Sequence, residues 1–249
     1  MTHPVALLTG SGKRRLGSAI AEALARKGYR LAIHYRSSKE EAEETAQTLR
    51  EYSPGVETFQ ADLADESQVT HMMRQVLARF QRIDVLVNCA AIWNRKKLEE
   101  VTAQDVREHF EINTLGTFLC SQQAGLQMVK QPEGGVIINF GDWAEVRPYL
   151  DYAAYFPSKG AVSTLTRCLA VELGHRNPRV RVNAILPGPV MLPADMSEAE
   201  KKAVIEATLV KRQGTPENVA QAVMMLVEND FLTGVLLPVD GGRTVYAGE

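Results

Sequence analysis

The chain has 249 residues, 45% of them hydrophobic, and a formal net charge of −2. That length suits one large α/β domain, spanning 1–249, with a substantial buried core. The near-neutral charge excludes a global basic field for nucleic acid or anionic membrane, and no apolar stretch approaches the ~18 residues of a membrane span.

Short β-rich runs alternate with longer helical patterns from the start. Val5–Thr9 reads as a strand and Leu16–Lys27 as a helix, with Ile20, Ala23 and Leu24 on one face. Between them TGSGKRRLG, residues 9–17, is a glycine-bearing turn at the first βα unit. A helix N-terminus there offers free N–H groups and the positive end of its dipole to a phosphate. Gly10 allows the turn and Gly17 allows close packing of helix on strand. Such a match is weak alone, since ordinary βα turns share it. Its context, strand before and helix after, raises it. Lys13, Arg14 and Arg15 stand in the middle of the loop.

Arg30–Tyr35 is the second strand, and its end decides between cofactors. An NAD site usually has Asp or Glu there for the ribose 2′-hydroxyl. This chain reads IHYRSS at 33–38, with no carboxylate. Arg36, Ser37 and Ser38 offer a cation and hydroxyls instead, and Arg14 and Arg15 come from the neighbouring loop. Guanidinium and hydroxyl donors suit a 2′-phosphate, so NADPH is the expected cofactor. The competing reading leaves the 13–15 cations as solvated loop charges.

Further along, Ser38–Tyr52 reads as helix, Val56–Gln60 as strand, Ser67–Phe80 as helix and Ile83–Asn88 as an apolar run. One long helical stretch follows from Thr102 to Val129, then the strand GGVIINF at 134–140. Tyr152–His175 is helical, and Val180–Leu186 and Val235–Val239 are strands. Nearly continuous Val/Ile/Leu strands mark a parallel sheet buried on both faces. Repeated βαβ units predict a doubly wound Rossmann fold in a single domain, with a seven-stranded parallel sheet. The segment of about 187–212, rich in Pro, Met and charge, lies outside the alternation and reads as a substrate loop. Cys89, Cys120 and Cys168 form neither a CxxC pair nor a disulfide framework, which fits a reducing cytoplasm. The N-terminus has no signal-peptide pattern. The five histidines, at 3, 34, 71, 109 and 175, have no metal-site spacing, so no metal is expected.

The motifs TGSGKRRLG (9–17), ADL (61–63), NCAA (88–91), NTLG (113–116), YFPSK (155–159), LPGPV (186–190) and VDGG (239–242) together resemble the short-chain dehydrogenase/reductase family over nearly the whole length. Within it the chain is most similar to pteridine reductases and dihydromonapterin reductases. Those also carry Arg in place of the middle loop glycine, and a His-Tyr pair ending the second strand, as His34-Tyr35 does. They place Asp where other members have the catalytic Ser, and Asp142 stands 13 residues before Tyr155. They put a pterin-stacking aromatic shortly after the NNA-type motif, where this chain has Trp93. It departs from the pattern in one extra first-loop residue and in Cys89, which replaces the second Asn.

The resemblance implies Tyr155 as proton donor, with Lys159 four residues on along the same helix face. Lys159 is expected to lower the phenol pKa from about 10 and to hold the nicotinamide ribose. Asn113 would complete a proton relay through Lys159. Asp62 and Leu63 would meet adenine, Pro187, Gly188 and Val190 the nicotinamide end, and Gly10, Leu16, His34, Tyr35, Asn88 and Ala90 complete the cofactor set. An ionised Asp142 cannot donate to a ketone oxygen but accepts from N–H groups, which points to a pterin. Trp93 would stack on that ring, with a core or interface role as its rival. A homotetramer is implied. Two other functions stay open: a carbonyl reductase such as a 3-oxoacyl carrier-protein reductase, which should prefer Ser at 142, and a nucleotide-sensing protein without turnover, which has no need of the Tyr155/Lys159/Asn113 set.

Overall fold

A computed structural model describes residues 3–13, 15–193 and 196–246. Among the described residues seven strands form one parallel sheet: β1 (Val5–Thr9), β2 (Arg30–Tyr35), β3 (Val56–Gln60), β4 (Val85–Asn88), β5 (Gly135–Phe140), β6 (Val180–Pro187) and β7 (Leu236–Val239). Their order is β3-β2-β1-β4-β5-β6-β7. The helices are α1 (Leu16–Arg26), α2 (Lys39–Leu49), α3 (Glu66–Phe80), α4 (Ala103–His109), α5 (Gly116–Val129), α6 (Tyr155–Arg176), α7 (Glu198–Glu206) and α8 (Pro216–Glu228). The expected doubly wound architecture is present.

Alternate strand side chains feed two cores. Leu7, Leu86, Ile137 and Val182 pack on α3, α5 and α6, while Leu8, Val87, Ile138 and Ile185 pack on α1, α2 and α8. Each such enclosed side chain contributes roughly 1.5–3 kcal/mol against exposure, which is why the central strands are mostly apolar on both faces. β1 lies between β2 and β4, so the chain turns away from it in opposite senses. A crevice opens beyond Thr9 and Asn88, which are partners in the ladder.

Three stretches differ from the sequence expectation. Thr102–Val129 is not one α-helix: Phe110–Leu115 forms a π-helical turn between α4 and α5. The segment read as a substrate loop contains α7, started by Ser197, whose hydroxyl accepts from the Glu200 N–H while the Glu200 carboxylate accepts from the Ser197 N–H. α8 was not expected; Thr215 caps it, with Pro216 at the first helical position.

Candidate active site

The first loop is shaped by backbone approach. Gly10 has φ +63°, and a Cβ on it would stand 2.7 Å from the Ala90 Cα. Gly12 is pressed between Ala42 and Tyr35, where a Cβ would stand 2.9 Å from the Ala42 Cβ. α1 starts at Arg15 with no side-chain cap and no acidic residue in its first turn, so its leading N–H groups keep their positive field.

His34 secures this loop from below. Its Nδ1 accepts from the Gly10 N–H at 3.0 Å, so Nε2 carries the hydrogen and donates to the Ala61 carbonyl at 3.0 Å. Burial pushes its pKa down to about 4, which keeps the ring neutral. His34 was expected to touch the cofactor; both ring nitrogens are occupied by backbone, so it positions the loop instead. Tyr35 is likewise buried, beneath Gly12.

The expected cations divide. Lys13 pairs with Glu41 at 3.3 Å, both exposed. Arg15, Arg36 and Ser37 are exposed, and Ser38 is half-buried at the start of α2 with its hydroxyl unused as a cap. Arg14 lies outside the described residues. Asp62 Oδ1 accepts from the Ala64 N–H at 3.1 Å, and Leu63 is buried against Gly116. The Asn88 amide donates to Ser121 Oγ and Asn139 Oδ1, each at 2.9 Å, while its buried Oδ1 has no hydrogen-bond partner among the described residues. Ala90 donates its N–H to Thr9 Oγ1 at 3.2 Å and ties β4 to β1.

At the other end of the crevice α6 delivers Tyr155 and Lys159 from one face. The Tyr155 hydroxyl donates to Asp142 Oδ2 at 2.9 Å. Asp142 Oδ1 accepts from the Ala144 N–H at 2.8 Å, fixing the carboxylate in the turn after β5. Lys159 Nζ donates to the Phe140 carbonyl at 2.6 Å. Burial first, then the Asp142 charge, raise the Tyr155 pKa well above 10. The expectation that Lys159 lowers it is therefore not met in this arrangement: a buried phenol facing a carboxylate keeps its proton. Burial also raises Asp142 and lowers Lys159. The π turn directs Asn113 inward, where Oδ1 accepts from the Ile92 N–H at 2.8 Å and Nδ2 donates to the Ile92 carbonyl and to Ser158 Oγ, at 3.1 and 3.0 Å. Asn113 thus links the segment that carries Trp93 to α6.

A cavity of about 570 Å³ opens over Tyr155 and Asp142. Leu16, Pro187, Gly188 and Val190 border it, joining the first loop to the reaction end. Trp93 is 40% exposed and stacks on Tyr152 with centroids 5.2 Å apart and planes 14° apart. Trp143 stacks on Tyr149, and the Arg243 guanidinium lies 5.1 Å over the Trp143 ring. Sequence reasoning missed Tyr149, Tyr152, Arg243 and Glu145 as site residues. Only Glu145 left a signal, the Asp-x-x-Glu spacing of a capping box. Among the described residues no group of His, Cys, Asp or Glu is placed to hold a metal.

The residues 11–244 match the family model described as Enoyl-(Acyl carrier protein) reductase. The chain is 33% identical to the uncharacterized oxidoreductase YohF of Escherichia coli over 96% of this chain and 94% of that one. It is 34% identical to the 3-oxoacyl-[acyl-carrier-protein] reductase FabG of Staphylococcus aureus, over 95% of this chain and 96% of that one. Among solved structures it matches one titled a putative gluconate dehydrogenase from Agrobacterium tumefaciens with TM-score 0.91 and 27% identity, covering 98% of this chain and 97% of that one.

Proposed function

The chain belongs to the short-chain dehydrogenase/reductase family, and from that premise we propose that it is an NADPH-dependent reductase of pterin-type C=N bonds. The observation that carries this reading is the Tyr155–Asp142 contact at 2.9 Å beneath an aromatic-walled cavity. The residues fit a nicotinamide dinucleotide: a Cβ at Gly10 or Gly12 would fill the loop, and the α1 N-terminus is uncapped. Leu16, Pro187, Gly188, Val190 and Lys159 would hold its nicotinamide half, and Arg15, Arg36, Ser37 and Ser38 its 2′-phosphate. Bound there, NADPH supplies a hydride.

The chain's own groups do the rest. Trp93 and Tyr152 give a flat wall for a planar heterocycle. Asp142, fixed by its turn, accepts from amino or ring N–H groups of that heterocycle. As hydride reaches the carbon of the C=N bond, the Tyr155 hydroxyl gives its proton to the nitrogen, so the product gains one C–H and one N–H. Lys159, buried beside this pair, favours the ionised form of Asp142 against the effect of burial. Arg243 adds a cation to the cavity wall for an acidic substituent.

A second reading, a carbonyl reductase, draws support from the name of the FabG relative. The two separate in one assay: loss of NADPH absorbance with 7,8-dihydrobiopterin or with acetoacetyl coenzyme A. Faster turnover of the dihydropterin is expected; turnover of the thioester alone replaces this reading with the second.

A further inference from the structure

Glu145 has no part in the reaction described above, yet it lies within the reaction end and bonds on both sides. Its Oε1 accepts from the Asp142 N–H at 2.8 Å. Its Oε2 accepts a very short hydrogen bond from Ser163 Oγ. Ser163 is on α6, four residues beyond Lys159 and eight beyond Tyr155, and so lies on the same helix face. Glu145 therefore connects the turn that carries Asp142 to the helix that carries Tyr155 and Lys159. Gly141 makes room for this connection, since a Cβ there would fall on Glu145 Oε1.

We propose that Glu145 is a positioning residue, strapping the Asp142 turn to α6 so that the carboxylate meets the Tyr155 hydroxyl. A shorter strap would serve if only a helix cap were needed; at α7 Ser197 and Glu200 make the same local box, with the Glu200 carboxylate bonded back to Ser197. What distinguishes Glu145 is its second bond, across to Ser163. The carboxylate also stands in the field of a charged group: the Lys159 ammonium favours its ionised form, while burial and the Asp142 charge oppose it. Glu145 in turn favours the charged form of Lys159 and the neutral form of Tyr155, and Asp142 and Cys89 are the other titratable groups acting on Lys159.

Three variants test this: Glu145→Ala, Glu145→Gln and Ser163→Ala. The inference rests on the catalytic pairing of Asp142 with Tyr155 but not on the pterin, so the primary readout needs no substrate. It is the 13C-aspartate NMR titration of Asp142 in the whole protein, with its signal assigned through Asp142→Asn. Glu145→Gln keeps an acceptor for the Asp142 N–H and removes a neighbouring negative charge, so the Asp142 midpoint should fall. Glu145→Ala removes the strap, and with 7,8-dihydrobiopterin kcat should drop at least about tenfold with KM for NADPH unchanged. Glu145→Gln should recover most of that kcat, and Ser163→Ala should show a smaller loss of the same kind. A purely structural Glu145 would lower the unfolding temperature and leave the Asp142 titration where it was. An unchanged midpoint in both Glu145→Gln and Ser163→Ala overturns the proposal, even if Glu145→Ala does not fold. Should wild type ignore the dihydropterin while the Asp142 midpoint still moves, the substrate reading fails and this one stands.

Discussion

The two ends of the crevice handle charge in opposite ways. At the cofactor end Arg15 and Arg36 stand in solvent, and Lys13 has only an exposed partner. Such cations cost little to keep and wait for a ligand that neutralises them. At the reaction end Tyr155 and Lys159 are buried and each is already hydrogen-bonded, as Asp142 is to the Tyr155 hydroxyl. There the environment sets which group holds a proton, and removal of one partner is felt by the others. On the proposed function, the exposed charges would select the cofactor and the enclosed ones would govern proton transfer.

The comparison is sharpened most by Tyr155→Phe. The ring and its packing stay, and only the proton donor goes, so kcat should fall about 10²–10⁴-fold with NADPH affinity nearly intact, as read by steady-state assay and by NADPH fluorescence titration. Inactivation by Tyr152→Phe instead would move the proton donor to the wrong face of the cavity.

Acid should weaken the cofactor end through the buried His34. Its folded pKa is about 4 against an ordinary 6.5. The unfolded chain binds this proton first, so the stabilising contribution is complete above pH ~6.5, is lost progressively as pH falls, and is gone below about 4. The whole span is worth ~3 kcal/mol. Urea unfolding at about pH 7 and about pH 4.5 should show this loss, and His34→Gln should flatten it; an equal slope in both proteins would remove His34 from the account.

Arg36→Asp tests the exposed side. Loss of one charge-assisted contact costs ~1.5–3 kcal/mol, so the ratio of kcat/KM for NADPH over NADH should drop at least about tenfold. Equal use of both cofactors by wild type would leave the exposed cations without this role. The smallest effect belongs to Trp93→Ala. One stacking contact of ~0.5–1.5 kcal/mol predicts a several-fold rise in KM for 7,8-dihydrobiopterin, with kcat kept. A fall in kcat alone would make Trp93 a support for Tyr152 rather than a substrate wall.

Much of the sheet was legible, because burial on both faces leaves no ambiguity of period: β1, β2 and β3 occupy the expected residues. Helix ends were less so. α6 begins at Tyr155 rather than Tyr152, and the caps at Thr215 and Ser197 were passed over because their segments are short or mixed in character. The π turn at Asn113 could not be read, since one extra residue per turn leaves no mark on an apolar pattern. In the site, the spacing of Asp142, Tyr155 and Lys159 marked three residues that the fold brings to one cavity. Spacing did not carry direction: it placed Lys159 one turn from the phenol but not its Nζ on the Phe140 carbonyl, nor the carboxylate that faces the hydroxyl. His34 was noticed as a residue, while its role came from two backbone bonds that only the folded chain brings within reach.

The close fit of Gly141 against Glu145 has a consequence for descent. Position 141 cannot gain a side chain while Glu145 keeps its place. A side chain at 141 evicts the carboxylate, and a carboxylate at 145 forbids the side chain. Chains diverging from this one that keep Glu at 145 and Ser at 163 should therefore keep Gly at 141. Loss of the strap alone would not free position 141, since the Leu186 Cδ2 would crowd a Cβ there as closely as Glu145 Oε1 does.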